Sequence, residues 1–260
     1  MSRRPVTFEC EGDRLFGTLD EADGATGLLI VSGGNEIRCG AWCGQAQLAA
    51  RVAAAGFPVL RYDRRGVGDS EGENRGFRDS RDDIAAALAA FRAEAPTVER
   101  VVAFGNCDAA SALMLFGAEL DLAGLLLANP WVVEGDDEGT VHAPAALRRR
   151  YLRKLADPAE WKRLASGGVD FRNLVRGLRQ AVGTAPPSDL VATMREGLDR
   201  FTGRAKIPLA ERDRTAQLFL AAWGPNDPRI ERLASASHSF ADEAAREWLF
   251  ERVLAMLRVA

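Results

Sequence analysis

Histidine, cysteine and long apolar runs are all scarce in this sequence, and each scarcity excludes a class of protein. Two histidines leave too few ligands for a histidine-rich metal site, so we expect no metal. Four cysteines in 260 residues do not form a disulfide framework and are typical of a reducing compartment. No run reaches the roughly 18 apolar residues of a membrane span, and the start MSRRPVTFEC lacks the apolar core of a signal peptide. We therefore expect a cytoplasmic protein without a membrane span.

The overall charge and composition are those of an ordinary globular protein. A formal net charge of −3 and a sequence pI near 5.6 give no general reason to expect a nucleic acid as a partner. Hydrophobic residues make up 47% of the chain and charged residues 27%. At 260 residues the chain suits one large α/β domain, or one domain that carries an insertion.

Strand-like apolar runs alternate with helical patterns along the first half of the chain. The runs GLLIVSGG and RVVAFGN are short and apolar, as buried central strands are. Between them, AQLAARVAAAGF and SRDDIAAALAAFRAEAP have the residue spacing of helices. This alternation predicts an α/β fold with a mostly parallel, doubly wound sheet.

The alternation stops between residues 132 and 205, where the pattern is helical. We predict a helical cap here, inserted between a first core segment, 1–131, and a second core segment, 206–260. Residues 141–206 hold 14 Lys and Arg against 6 Asp and Glu, a basic segment in an acidic protein. Two interpretations stay open: a solvated helical surface, or a cap that attracts an anionic substrate or partner.

The order of elements after the cap decides which aspartate follows a strand. We predict AKIPLAE as a strand, DRTAQLFLAAW as a helix that begins after Asp213, and PRIERLASA as the last strand. This order leaves room for a helix between two parallel strands, which a right-handed crossover requires. In the alternative, AQLFLAAW is the strand and Asp227 follows it.

The segment VVAFGNCDAAS has the pattern of a nucleophile elbow, a strand that turns sharply into a helix. Gly105 and Ala109 lie two residues to either side of Cys107, and small residues are needed there because the turn brings backbone close to backbone. The tip residue is then held out over the end of the sheet. Serine is usual at the tip, so Cys107 predicts a thiol nucleophile in place of a hydroxyl.

A nucleophile needs a base, and the base needs an acid that orients it. The chain order nucleophile, acid, histidine, each after a strand, is a recurrent arrangement, and Cys107, Asp213 and His238 follow it. His238 would take the thiol proton or form a thiolate–imidazolium pair, and Asp213 would fix the tautomer of the imidazole. Asp227 is the alternative acid.

Other residues are candidates for binding the substrate. An oxyanion needs donors that are already aimed at it, and we predict the backbone N–H of Asp108 and a donor from the loop at Gly34 and Asn35. Candidate substrate contacts are Trp131, near the end of the predicted strand LAGLLLANPWV, and the cap residues Arg148 and Arg149. The second histidine, His142, is predicted to be structural or to face the substrate.

With these residues in view, the chain resembles the α/β-hydrolase superfamily from LLIVSGG to SHSF. YDRRGVGDSEG is similar to the D-x-R-G-x-G-x-S segment of many members. More narrowly, FGNCDAAS, LLLANPWV, ERDRTA and ASHSF resemble the hydrolase 1 family associated with the exosortase A system, which has Cys-Asp in the elbow. The resemblance implies the α/β-hydrolase fold, with Cys107 as nucleophile, Asp213 as acid and His238 as base. The loop GGNEIRCGAW departs from that family at Asn35 and Glu36.

These observations predict an esterase or thioesterase-like hydrolase that acts through an acyl-thioester intermediate under a helical cap. Because thioesters also react with amines, alcohols and thiols, an acyltransferase or cyclase is the nearest alternative. A second alternative is a weakly catalytic module that binds an anionic partner through the basic cap. The expected partner is a small-molecule or carrier-linked acyl substrate, anionic if the basic cap attracts it, and no organic cofactor is implied. Similarity of fold alone does not identify the acyl group of the substrate.

Overall fold

The structure is a computed structural model, and it describes residues 2–133 and 189–260. In this part of the chain the strands form an eight-stranded sheet in the order β1-β2-β4-β3-β5-β6-β7-β8. The strands are β1 Arg3–Cys10, β2 Asp13–Asp20, β3 Thr26–Val31, β4 Val59–Tyr62, β5 Arg100–Asn106, β6 Gly124–Ala128, β7 Arg204–Ala210 and β8 Ile230–Leu233.

Among the strands of the described residues, only β2 runs opposite to the others. β1 and β2 form an antiparallel hairpin, and β2 also runs antiparallel to β4. The pairs from β4 through β3, β5, β6 and β7 to β8 are all parallel. The predicted mostly parallel sheet is therefore confirmed, and the carboxyl ends of six strands meet at one edge, where a site in such a sheet is expected.

Helices cover both faces of the sheet. They are α1 Gly44–Ala54, α2 Arg81–Glu94, α3 Asp108–Phe116, α4 Asp189–Arg200, α5 Arg214–Trp223 and α6 Glu243–Val259. One core cluster contains buried residues of α2, α3, α4 and α5, and the other contains those of α1 and α6. Central strands β3 and β6 are buried at every position, as their continuous apolar runs predict.

The segment between β7 and β8 is a helix, as the preferred order of elements predicts. α5 begins after Asp213, whose Oδ2 accepts a hydrogen bond from the N–H of Ala216 at 3.1 Å. Such an aspartate satisfies an N–H group that the first turn of a helix leaves unpaired. The alternative, in which residues 216–223 form a strand, is therefore wrong.

The predicted cap, 132–205, lies mostly outside the described residues. Its last part contains α4, which buries Leu190, Met194 and Leu198 in the same core cluster as α3. The sheet resumes at Arg204, which pairs with Gly124 of β6. β7 thus begins two residues before 206 and one residue before the predicted strand AKIPLAE, because Arg204 takes part in the pairing with β6. No helix in the described ranges is long and apolar enough to cross a membrane.

Candidate active site

Cys107 stands at the sharp turn between β5 and α3. Its backbone has φ 62° and ψ −128°, a conformation that costs a non-glycine residue energy and must be held by its surroundings. Three hydrogen bonds to its carbonyl oxygen do so, from the N–H groups of Ala110, Ser111 and Trp131. A Cβ atom added to Gly105 would lie 2.7 Å from the carbonyl carbon of Ala109. The elbow geometry and the need for Gly105 are as the sequence predicts.

His238 and Asp213 meet beside this turn. Nδ1 of His238 lies 2.9 Å from Oδ2 of Asp213, which is buried. The side chain of His238 also has a hydrogen bond with Cys107. Cys107 itself is half-buried, so its thiol is not sealed in the core. The structure thus brings together the three residues that the sequence singles out as nucleophile, base and acid.

The two contacts of His238 favour its charged form. The hydrogen bond to Asp213, and next the hydrogen bond to Cys107, raise the pKa of His238 from its ordinary 6.5 to about 10, although burial acts in the opposite direction. The imidazole is therefore protonated at neutral pH. An imidazolium next to a thiol stabilises the thiolate, which is the reactive form of cysteine.

Asp227, the alternative acid, is engaged elsewhere. Its carboxylate accepts hydrogen bonds from Nη2 of Arg229 at 2.7 Å and from Nε1 of Trp223 at 2.9 Å. The hydrogen bonds of Arg229, foremost among its contacts, lower the pKa of Asp227 well below its usual range. This aspartate closes the turn before β8, and Asp213 is the one that reaches His238.

Two asparagines that sequence reasoning did not single out hold the His238 loop against the elbow. Nδ2 atoms of Asn106 and Asn129 donate to the carbonyl oxygen of His238 at 3.2 and 3.1 Å. Asn129 is fully buried, and its Oδ1 accepts the N–H of Ala210 at 2.8 Å. It therefore links the ends of β5, β6 and β7 to the His238 loop. The sequence does contain a signal for Asn129, since it is a polar residue at the end of an otherwise apolar strand, LLLAN.

The predicted oxyanion loop packs directly on the elbow. A Cβ atom on Gly33 would lie 2.6 Å from the carbonyl oxygen of Asn106 and 2.6 Å from Oδ1 of Asp108, so only glycine fits there. The N–H of Gly34 donates to Oδ1 of Asp108 at 2.6 Å. The structure therefore places Gly34 against Asp108, the residue that follows Cys107, and this predicted donor already has a protein partner. Asn35 is exposed, and its Oδ1 accepts a hydrogen bond from Nδ2 of Asn74 at 2.8 Å.

Glu36, the other departure in this loop, also faces the site. Its carboxylate accepts hydrogen bonds from the N–H of Ala41 at 2.5 Å and from Nε2 of Gln45 at 2.6 Å. Burial raises the pKa of Glu36, and the charge of His238 acts against that rise. Glu36 thus contributes a second carboxylate near the imidazole, beyond Asp213.

A cavity of about 320 Å³ opens between the N-terminal ends of α1 and α6. Asn106 and Ser239, which adjoin Cys107 and His238 in the chain, are among its lining residues. Its apolar walls come from Trp42, Leu48 and Phe240, together with Phe104 and Leu249. Charged and polar side chains, among them Glu36 and Arg246, line the rest, so the cavity suits a small group with both apolar and polar parts.

Of the remaining candidates, one lies within the described residues and the others lie outside them. Trp131 is half-buried, and its Nε1 donates to the carbonyl oxygen of Val133 at 2.8 Å. Its N–H bonds to the carbonyl of Cys107, which places it next to the elbow. Arg148, Arg149 and His142 lie outside the described residues. Within those residues, no group of three or more His, Cys, Asp and Glu side chains is arranged to hold a metal ion.

Three features of the structure together define a class of hydrolytic enzymes. They are a reversal of strand order in the sheet, a nucleophile elbow, and an Asp–His pair at the carboxyl edge of the sheet. A family model described as the Alpha/beta hydrolase family matches residues 28–252. The chain therefore belongs to the alpha/beta hydrolase family, and the fold predicted from the sequence is confirmed. No curated protein sequence matches the chain at a significant level.

Solved structures with the same fold include several hydrolases. The esterase Pf2001 of Pyrococcus furiosus is 17% identical with a TM-score of 0.61, and the match covers 99% of this chain and 90% of that chain. The alpha/beta hydrolase GrgF of Penicillium sp. sh18 is 18% identical with a TM-score of 0.67 over 99% and 98% of the two chains. The thioesterase domain from the curacin biosynthetic pathway is 13% identical with a TM-score of 0.57 over 98% and 100%.

Proposed function

We propose that the protein hydrolyses a carboxylic ester or thioester, with Cys107 as nucleophile, His238 as base and acid, and Asp213 as the acid that orients His238. One observation carries the proposal: His238 contacts the Cys107 thiol on one side and Asp213 at 2.9 Å on the other. An esterase and a thioesterase domain among the structures of the same fold support the substrate class.

Acylation begins from the thiolate–imidazolium pair. The thiolate attacks the carbonyl carbon of the substrate, a C–S bond forms, and the π electrons move to oxygen to give an oxyanion. When the oxyanion collapses, the bond to the leaving alkoxide or thiolate breaks, and this group takes the proton from His238. The products of this step are the free alcohol or thiol and an acyl-thioester on Cys107.

Deacylation uses the same residues in the opposite direction. His238, now neutral, removes a proton from water as the water oxygen attacks the thioester carbonyl. The second oxyanion collapses, the C–S bond breaks, and the carboxylic acid leaves while Cys107 returns as a thiolate beside the imidazolium. Asp213 keeps Nδ1 protonated throughout, so Nε2 is the nitrogen that exchanges the proton.

The test is to trap the acyl-enzyme. The full-length protein is mixed with p-nitrophenyl acetate, quenched in acid, and its peptides are examined by mass spectrometry. We expect an acetyl group on Cys107, no such adduct in Cys107→Ala, and a slow, incomplete reaction in His238→Gln. Acetylation of Cys39 or Cys43 alone, or turnover that survives Cys107→Ala, contradicts the proposal.

Transfer of the acyl group to an amine, alcohol or thiol is the second candidate. The observation that favours it is the cysteine at the elbow, because an acyl group on Cys107 would be a thioester, which reacts with amines far more readily than an oxygen ester does. Added amines should then divert the acyl group from water.

We also propose that the protein is a member of the exosortase A-associated hydrolase 1 family. This assignment rests on the Cys-Asp elbow and the motifs around it. A cytoplasmic location and an anionic substrate are further parts of the proposal.

A further inference from the structure

We propose that the cavity between α1 and α6 binds an acyl acceptor, an α-amino acid with an apolar side chain, whose ammonium group binds Glu36 and whose carboxylate binds Arg246. The product is an N-acyl amino acid. This inference rests on the proposed function in its acyl-transfer form, because the acyl group must first be bound to Cys107. It goes beyond that proposal in naming the acceptor and the two residues that select it.

Glu36 lines the cavity with a half-buried carboxylate. Its two oxygens accept hydrogen bonds from neutral groups, the N–H of Ala41 at 2.5 Å and Nε2 of Gln45 at 2.6 Å. Among the described residues, no cationic side chain forms an ion pair with it. A carboxylate that is partly removed from water is costly unless a positive charge offsets it, so this part of the cavity favours a cationic ligand.

Arg246 brings the opposite charge to the same cavity, and it is also half-buried. Its Nη1 donates to Oε1 of Gln47 at 3.5 Å, and its guanidinium carbon lies 5.3 Å from the centre of the Trp42 ring. In residues 2–133 and 189–260 no carboxylate pairs with it. A guanidinium is a planar donor that binds a carboxylate through two parallel hydrogen bonds, so Arg246 favours a ligand with a carboxylate.

The two charges line one cavity and yet do not pair with each other. Arg51 and Glu247, on the same cavity, do form an ion pair, at 2.6 Å. Glu36 and Arg246 are therefore separated by a gap, and a ligand that carries both an ammonium group and a carboxylate can bridge it. Apolar side chains complete the lining and offer a surface for the side chain of an amino acid: Leu48, Phe104, Phe240 and Leu249.

The part of the cavity at Glu36 is close to the catalytic residues. The charge of His238 acts on the carboxylate of Glu36. Also lining the cavity are the residues that adjoin Cys107 and His238 in the chain, Asn106 and Ser239. An amino group held at Glu36 is then the part of the ligand that meets the acyl group on Cys107.

The amino group loses two protons in the reaction, and two residues are placed to take them. Glu36 takes the first from the ammonium group, a step that is favoured because burial raises the pKa of Glu36. The neutral nitrogen attacks the thioester carbonyl, a C–N bond forms, and the π electrons move to oxygen. When the oxyanion collapses, the C–S bond breaks, Cys107 leaves as a thiolate, and His238 takes the second proton. The N-acyl amino acid leaves, and Glu36 returns its proton to water.

The test measures how an acetyl group divides between water and an added acceptor. Full-length protein is mixed with p-nitrophenyl acetate and L-leucine at neutral pH, and mass spectrometry gives the ratio of N-acetyl-leucine to acetate. This ratio does not depend on the rate of acylation. We expect it to exceed, by about tenfold or more, the ratio that a thioester free in solution, S-acetyl-N-acetylcysteamine, gives with the same leucine, because a bound amine is held against the thioester.

Variants at the two charged residues separate binding of the carboxylate from binding of the ammonium group. In Arg246→Gln the ratio should fall about 10- to 100-fold for L-leucine, the effect of one pair of charged hydrogen bonds. For isopentylamine, which is leucine without its carboxylate, it should stay within about threefold. In Glu36→Gln the ratio should fall for both acceptors, since both carry an ammonium group. Gln45 can turn its amide to keep a hydrogen bond with the new side chain, so the substitution preserves local packing.

Arg252→Gln is the matched control for Arg246→Gln. Arg252 is also an arginine of α6 that lies over a tryptophan, with its guanidinium carbon 4.4 Å from the centre of the Trp248 ring, but it is not among the residues that line the cavity. Its substitution should leave the ratio for L-leucine unchanged.

The outcomes distinguish failure of the inference from failure of the proposed function. A ratio no higher than that of the free thioester means that leucine attacks from solution, which overturns the inference and leaves hydrolysis by Cys107 intact. Equal falls for leucine and isopentylamine in Arg246→Gln mean that Arg246 binds no carboxylate, and the inference is then wrong. If wild-type Cys107 is never acetylated, the proposed function fails first, and the acceptor site falls with it.

Discussion

Oδ2 of Asp213 lies 2.9 Å from Nδ1 of His238, although 25 residues separate the two in the chain. Asp213 follows β7 and His238 follows β8, and these strands are parallel neighbours, so both loops emerge at the same edge of the sheet. The same oxygen of Asp213 accepts the N–H of Ala216. The first turn of α5 therefore fixes the carboxylate before His238 meets it.

Replacing this carboxylate by an amide should disable the proposed reaction. In Asp213→Asn the imidazole loses its anionic partner and the preference for the correct tautomer, so we expect kcat to fall about 10²- to 10⁴-fold. The pKa of His238 should move down, because its largest contact is lost. The alkylation rate of Cys107 at neutral pH should fall with it.

Asp227→Asn is the matched control for that experiment. Asp227 pairs with Arg229 at 2.7 Å and caps the turn before β8, so its loss should lower stability and leave kcat nearly unchanged. Equal losses of kcat in Asp213→Asn and Asp227→Asn contradict the assignment of Asp213.

The contribution of His238 to the free energy of unfolding should decrease as the pH rises. Its pKa is about 10 in the folded protein and 6.5 ordinarily, so the folded state binds the proton more tightly. The contribution is then fully present below pH 6.5 and disappears as the pH rises through about 10. Urea unfolding of the wild type and His238→Gln should show a difference in free energy that shrinks over this range. A difference that grows with pH would mean that the imidazole is neutral in the folded protein.

Asn129→Ala should damage both stability and the site. The substitution leaves the buried N–H of Ala210 without its acceptor at 2.8 Å, a loss of about 1 to 3 kcal/mol in the free energy of unfolding. It also removes one of two donors to the His238 carbonyl, so kcat should fall beyond what the stability change explains. Asn129→Asp keeps an oxygen for Ala210 but buries a carboxylate against the His238 carbonyl, so it should be no more stable or active than Asn129→Ala. Full activity in both variants would show that Asn106 alone holds the loop.

Gly105→Ala should strain the elbow. The added methyl group would meet the backbone of Ala109 and Ala110 at 2.7 and 2.8 Å, and backbone in a tight turn cannot move aside cheaply. We expect a loss of about 1 to 3 kcal/mol in the free energy of unfolding and a slower alkylation of Cys107. Gly12 has φ 92° and nothing within 4 Å of an added Cβ, so Gly12→Ala should lower stability through backbone strain alone and leave the alkylation rate of Cys107 unchanged. An unchanged alkylation rate in Gly105→Ala as well would argue against close packing at the elbow.

Arg148→Gln with Arg149→Gln tests the predicted role of the basic cap. If these charges attract an anionic substrate, kcat/KM for an anionic ester should fall more than for a neutral ester, and added salt should narrow the gap because it screens the field. Steady-state kinetics at two ionic strengths measure both effects. Equal losses for the two esters would favour the interpretation as a solvated surface.

The sequence by itself determined the alternation of strands and helices, the elbow, and the chain order of Cys107, Asp213 and His238. These features depend on residues close together in the chain: apolar runs make buried strands, small residues permit the sharp turn, and an aspartate caps the helix that follows it. The sequence also determined that Asp213 follows a strand, since the parallel sheet needs a helix between β7 and β8.

Only the tertiary structure decided which polar groups meet across the sheet edge. Asn129 joins Asn106, Ala210 and His238, and Asp108 takes the N–H that Gly34 was expected to offer to the substrate. No local pattern predicts such contacts, because they depend on the paths of loops that belong to different strands and meet only when the sheet assembles. The start of β7 at Arg204, one residue before the predicted strand AKIPLAE, has a similar origin, because Arg204 joins the strand through its pairing with Gly124 of β6.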